Sequence, residues 1–161
     1  MKNRNLTQSR HAQNGVYAIE FAFVFLILFA LLYAVFCYGL LLTMRMSLQN
    51  AAEEGARAGL RYQSNLDSRK TEASAVAIQR SNWLPPALKA NRAVAATICV
   101  AGGDDCPPAP PACGPTWSSR CQVVVTVSVS GIDTLFPALP SFAMPSQIAG
   151  KASMLLDGRP L

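Results

Sequence analysis

An uncharged apolar run of 24 residues, positions 21–44, most constrains how this protein folds. As a helix with a rise of about 1.5 Å per residue, it reaches roughly 36 Å, which exceeds the roughly 30 Å hydrocarbon core of a bilayer. A cleavable secretory signal has an apolar region of only about 7–15 residues that ends in small residues, and this run has neither property. The run therefore predicts a retained membrane-spanning helix.

A single carboxylate, Glu20, stands at the start of this run, five residues after Gly15. The 14 residues before Gly15 contain three basic side chains and no acid: Lys2, Arg4 and Arg10. A charge at the edge of hydrocarbon is costly and marks a functional position unless it is paired or reaches water. The junction formed by Gly15, Val16, Glu20 and Phe21 is therefore the candidate site of this sequence.

Four cysteines lie within 23 residues, at Cys99, Cys106, Cys113 and Cys121. Their C-x6-C-x6-C-x7-C spacing lacks the paired C-x2-4-C arrangement of zinc sites, so two disulfides are favoured over free thiols or a metal. Three pairings are possible, and the spacing does not choose among them. A fifth cysteine, Cys37, lies inside the span and is expected to behave as a small apolar residue.

The orientation in the membrane depends mainly on these cysteines. Lysine and arginine counts on the two sides of the span are equal, three before it and three in residues 45–62, so the positive-inside rule decides little. Disulfides form in oxidising compartments. We therefore expect a cytoplasmic N-terminus, a single pass through the inner membrane and a periplasmic C-terminal domain.

Three segments are predicted: a basic leader 1–15, a helix with its extension 16–62, and a small α+β domain 63–161. In that domain we expect a helix over 67–82, capped by Asn65 or Asp67 and ended by Pro85-Pro86, with strands over 93–100, 122–130 and 147–156. The middle strand alternates valines with mostly polar residues. Gly55 and Gly59 share the small-residue face of the helix extension, where packing on the protein's own domain is favoured over a dimer interface.

The sequence lacks the residue sets that several common catalytic and binding sites require. The only histidine, His11, precedes Gly15, so the rest of the sequence has no Ser-His-Asp or Cys-His set. No phosphate-binding glycine motif is present. Outside the leader, eleven basic residues face nine acids without forming a cluster, which argues against nucleic-acid binding. We expect no enzyme activity, no metal or other cofactor and no small-molecule substrate.

The segments GVYAIEFAFVFLILFALLYAVF and LQNAAEEGARAGLR resemble the TadE-like pseudopilins of Tad (Flp) type IV pilus systems. The resemblance implies that a prepilin peptidase cuts between Gly15 and Val16. It also implies a minor pilin that acts with other pilins and pilus assembly proteins, in assembly or adhesion. Where such proteins often carry a proline six residues after the glutamate, this sequence has Leu26, which predicts a straighter helix.

Cleavage would give Val16 a positive amine that Glu20 could neutralise, in its own subunit or in a neighbour. Glu20 and Phe21 are thus expected to dock subunits; otherwise Glu20 only extends to the membrane surface. Two other functions fit the residues. One is an uncleaved, anchored periplasmic binding domain, and the other is a type II secretion pseudopilin, which shares the cleavage site.

Overall fold

The computed structural model describes residues 14–61, 63–102, 106, 112–135 and 143–156. The protein consists of two compact units, Met1–Leu40 and Leu41–Leu161. The basic side chains of the leader, the pair Asp104-Asp105 and most of the loop 136–145 lie outside the described residues.

The first helix, α1, runs without interruption from Asn14 to Ala58 and passes through Leu26. In the first unit its side chains from position 16 to position 32 are all exposed, although nearly all of them are apolar. Val16–Ala58 is the one helix in the described part of the protein that is long and apolar enough to cross a membrane, and an 18-residue stretch within it has a mean hydropathy of 2.6. An apolar surface on all sides is what a lipid-facing helix requires, so the structure fits a single-pass membrane protein.

The second unit is an α+β domain, as predicted. Besides the end of α1, it contains α2 (Leu66–Arg80), a four-residue α3 (Pro86–Lys89) and three strands. The strands are β1 (Arg92–Val100), β2 (Cys121–Ser130) and β3 (Gln147–Leu155), and they form an antiparallel sheet in the order β1-β2-β3.

Pro85 and Pro86 do not end α2, contrary to the prediction. The hydroxyl of Ser81 bonds to the carbonyl of Ala77 at 2.8 Å, and α2 ends there, whereas Pro86 begins α3, which was not predicted.

The core lies between the helices and one face of the sheet. The four alternate valines of β2 are at most 2% exposed: Val123, Val125, Val127 and Val129. Gly55 of α1 is buried against α2 and β2, and Gly59, which directly follows α1, is buried against Val123 of β2. A Cβ on Gly55 would lie 2.8 Å from the carbonyl oxygen of Ala73 and 2.9 Å from the Cβ of Ala77. The two glycines therefore serve close packing within the domain, as the sequence favoured.

Polar side chains fix both ends of α2. Asn65 caps the start, accepting a bond from the Ser68 N–H at 2.7 Å. At the other end, Arg92 of β1 donates to the Ile78 carbonyl at 3.1 Å, the Ser81 hydroxyl at 2.9 Å and the Asn82 side chain at 3.2 Å. A cation at a helix C-terminus satisfies free carbonyls and opposes the helix dipole. These contacts attach α2 to the edge of the sheet.

The end of α1 lies directly against β3. The side-chain amide of Gln49 donates to the carbonyl of Lys151 at 2.9 Å and accepts from the Lys151 N–H at 3.0 Å. Next to Lys151, Gly150 leaves room for the α1 backbone at Leu48 and Gln49. The amide of Gln49 thus acts like one peptide unit of a fourth strand at this position of the β3 edge.

The disulfides join Cys99 to Cys106 and Cys113 to Cys121, with Cα–Cα distances of 4.8 and 5.4 Å. The strand register explains part of this choice. Cys99 lies opposite Gln122 and shares its face of the sheet, whereas Cys121 lies on the face of Val123. A bond between Cys99 and Cys121 would have to cross the sheet, so each is bonded to a loop cysteine instead. Cys37 is buried and free.

Candidate functional site

The predicted junction lies in the first two turns of α1. The helix begins at Asn14, so Gly15 and Val16 belong to its first turn and Glu20 to its second. Val16 and Glu20 are four residues apart, a separation of about 6 Å along the axis on one face of the helix. The structure therefore places Val16 and the Glu20 side chain one helical turn apart on the same face of α1.

Glu20 is exposed and isolated in this structure. Its carboxylate makes no ion pair or hydrogen bond with any other residue in the part of the protein that the structure describes. Its neighbours on the helix surface are apolar: Phe21 is 70% exposed and begins a row of stacked rings with Phe25 and Phe29, whose centroids are 6.0 and 6.2 Å apart. A carboxylate in such surroundings can bind a cation or a strong hydrogen-bond donor from outside its own helix.

The acidic residues that the structure describes in the domain do not converge on a second site. Glu53 accepts a bond from Gln49 at 3.2 Å, while Glu54 pairs with Arg57 at 3.6 Å and Arg80 at 4.0 Å. The two carboxylates therefore have different partners, as expected for adjacent helix positions. Among the described residues there is no group of three or more histidine, cysteine or acidic side chains that could hold a metal.

The four predicted disulfide cysteines come together in two pairs, and both pairs staple the segment between β1 and β2. In the described part of that segment, Trp117 is 69% exposed and Arg120 lies over its ring, 5.8 Å from the centroid. Sequence reasoning missed a groove of about 440 Å³ between α2 and the outer edge of β1. The strand pattern of β1 was visible in the sequence, but its position at the edge of the sheet was not.

Comparison with known proteins supports the resemblance at the junction. Residues 15–57 match the family model described as TadE-like protein. The match begins at Gly15 and ends one residue before the end of α1, so it covers about a quarter of the sequence. No curated protein and no solved structure gives a significant match. The predicted TadE-like resemblance is thereby confirmed over the first helix.

Proposed function

We propose that this protein is a minor pilin or pseudopilin of a Tad (Flp) pilus. It is held in the inner membrane by α1 and acts in the assembly of the pilus or in its adhesion machinery. One observation carries the proposal: the TadE-like match begins at the glycine that precedes Glu20 and the exposed apolar helix. Gly15, Glu20 and the start of the apolar surface thus lie within a few residues of one another. Each has a separate role in a processed membrane subunit.

The first role is cleavage. A prepilin peptidase cuts the bond between Gly15 and Val16 on the cytoplasmic side and removes the basic leader. Glycine suits this position because it has no side chain and leaves the backbone open to a peptidase. The cut removes three basic side chains of the leader from the membrane surface and leaves one new amine on Val16.

The second role is charge pairing in the membrane. The Val16 amine and the Glu20 carboxylate carry opposite charges one helical turn apart, within a surface that is otherwise apolar. An ion left unpaired in such a medium costs several kcal/mol. Glu20 therefore neutralises an amine, either its own or that of an adjacent subunit. When the amine belongs to a neighbour, the pair fixes the height at which the two helices dock.

The orientation rests on the domain beyond the helix. Two disulfides within it are typical of a protein folded in the periplasm rather than in the reducing cytoplasm. A periplasmic domain on a single-pass helix leaves the leader in the cytoplasm, where the prepilin peptidase cuts. The processing site and the disulfides therefore support the same topology.

The experiment is deletion of the gene in its own host, followed by complementation. Wild type should restore surface pili, seen by electron microscopy, and should co-purify with other pilus proteins from solubilised membranes. Glu20→Gln and Glu20→Ala should insert normally but lose co-purification at least tenfold. Glu54→Gln is the matched control, because it removes an acid that forms only half-exposed surface ion pairs.

Two results would contradict the proposal at different levels. Normal piliation of the deletion strain would exclude a role in the pilus. Normal co-purification of both Glu20 variants would retain the pilus role but exclude docking through the carboxylate.

A further inference from the structure

The two edges of the sheet differ. In antiparallel strands every second residue turns its N–H and C=O away from the paired neighbour. On the β1 side, Ser130 N–H bonds to Asn91 C=O at 3.4 Å and Ala101 N–H bonds to Arg120 C=O at 2.6 Å, so the odd-numbered residues of β1 face β2. The backbone groups of Val94 and Ala96 therefore point outward, and no strand in the described part of the protein pairs with them.

The outer edge of β3 is blocked at its centre. There the Lys151 N–H and C=O point outward in the same way, and the amide of Gln49 bonds to both. Lys151 also places a charged side chain on this edge strand, which discourages the addition of a further strand. The protein thus protects one edge of the sheet with two recognised devices.

Beyond Arg92, whose side chain bonds to the end of α2, the β1 edge has none of these devices among the described residues. Between Val94 and Val100 the strand carries no proline and no charge. No described residue bonds to the outward backbone groups of Val94 or Ala96. A nine-residue edge strand with unpaired donors and acceptors is a template for another extended segment.

A groove runs along this open edge. It has a volume of about 440 Å³ and lies between β1 and α2. Its lining is small and mainly uncharged: Thr71, Ser74, Val94, Ala95 and Ala96, with Asp67 and Lys70 also present. The last two form an ion pair at 2.6 Å, so they neutralise each other. The hydroxyls of Thr71 and Ser74 bond back to α2 and leave the strand edge open.

We infer that this groove binds an extended segment of a partner polypeptide, which adds to the sheet as a fourth strand beside β1. The segment supplies backbone N–H and C=O groups to Val94 and Ala96, as in other cases of strand addition. Small, uncharged side chains at alternate positions fit against Thr71 and Ser74. A second copy of this protein fits poorly, because its own α2 lines the same edge and would enter the groove. The inference goes beyond the proposed function, since it depends on neither cleavage nor Glu20.

Hydrogen exchange tests this inference on the full-length protein. The tagged protein is purified in detergent twice, once expressed alone and once from membranes of its own host. The amides of Val94 and Ala96 should exchange quickly in the first sample and at least tenfold more slowly in the second. Ala149 and Ser153, which point outward from the β3 edge, are the internal control and should not change. Unchanged exchange at Val94 and Ala96 in host membranes would overturn the inference, whether or not other proteins are bound.

Two proline variants separate docking from folding. Proline is tolerated at edge positions whose N–H faces outward, so Ala96→Pro and Ser153→Pro should both keep thermal midpoints within a few degrees of wild type. Only Ala96→Pro should abolish the protection at Val94. Equal protection at Val94 in both variants would contradict strand addition at β1.

A photo-crosslinker at Thr71, on the rim of the groove, identifies the occupant. Mass spectrometry of the crosslinked peptide should show an uncharged segment of a different protein. A crosslink to residues 92–100 of a second copy would overturn the choice of partner. Because cleavage is measured separately from the N-terminus, failure here is distinguishable from failure of the proposed function.

Discussion

Replacement of Gly150 by alanine should destabilise the domain strongly, because α1 lies directly on this residue. An alanine Cβ would lie 2.5 Å from the carbonyl carbon of Leu48 and from the backbone nitrogen of Gln49, and 2.6 Å from the Leu48 carbonyl oxygen. All three atoms belong to helix backbone, which cannot rotate aside as a side chain would. The substitution must therefore move α1 away from β3.

The size of the effect follows from two terms. Overpacking of a tight contact typically costs about 1–3 kcal/mol. Moving α1 also breaks the two bonds between Gln49 and Lys151, each with a net value of about 0.5–1.5 kcal/mol. Alanine recovers about 0.4–1 kcal/mol by restricting the unfolded state. The net loss should be about 3 kcal/mol, or a fall in Tm of about 10 °C or more for a domain of this size.

The assay is thermal unfolding of the full-length protein in detergent, followed by circular dichroism. Gly39→Ala is the control for the substitution itself, because its Cβ would meet no atom within 4 Å, and it should leave Tm nearly unchanged. Gln49→Ala should cost about 1–2 kcal/mol. The double variant Gly150→Ala/Gln49→Ala should lose less stability than the two single variants together. Gly150→Ala already breaks the bonds between Gln49 and Lys151, so Gln49→Ala has little left to remove. A Tm for Gly150→Ala equal to or above that of wild type would refute the packing of α1 on β3.

Three further predictions concern the other contacts of the domain. Arg92→Ala removes three bonds from the C-terminus of α2 and should cost about 1.5–3 kcal/mol by denaturant titration; an unchanged midpoint would show that Arg92 does not hold the helix end. Asn65→Ala removes the N-terminal cap of α2 and should cost about 1 kcal/mol in the same assay, whereas Asn65→Asp should keep most of the wild-type stability. Equal stability of the wild type and both variants would contradict the cap. Replacing Cys99 and Cys106 together by alanine should lower stability by about 2–3 kcal/mol, from the entropy of the closed loop. Non-reducing peptide mapping of this variant should still find the Cys113–Cys121 disulfide. Any other pairing in the wild type would contradict the assignment.

Local patterns predicted the elements of this fold well. The alternation along β2 identified four of the five valines that the structure buries in this strand, because side chains of a strand alternate between faces. Asn65 was one of two candidate caps, with Asp67, because both stand at the start of a helical pattern, and the structure selects Asn65. The close spacing of Gly55 and Gly59 indicated a helix face that another element approaches closely, and α2 and β2 occupy it. In each case the signal lies within a few residues of the structure that it predicts.

Contacts between distant residues left no such signal. Gln49 and Lys151 are 102 positions apart, and nothing near either residue indicates that they meet. The disulfide pairing depended on which faces of the sheet Cys99 and Cys121 occupy, and that depends on the register of β1 and β2. The order of the strands likewise decided which edge is blocked and which is open. These features arise from tertiary packing, whereas the candidate junction at Gly15–Glu20 is local and was recognisable from sequence.

If this protein is a processed, pilin-like subunit, its mature N-terminus must show the cut. The measurement is intact mass with N-terminal sequencing of the membrane protein, expressed with and without its cognate prepilin peptidase. We expect a protein that starts at Val16 only when the peptidase is present. Gly15→Ala or a bulkier residue should prevent this change, whereas Asn14→Ala should not. A protein that still starts at Met1 with the active peptidase present would exclude processing at Gly15 and favour an anchored binding domain.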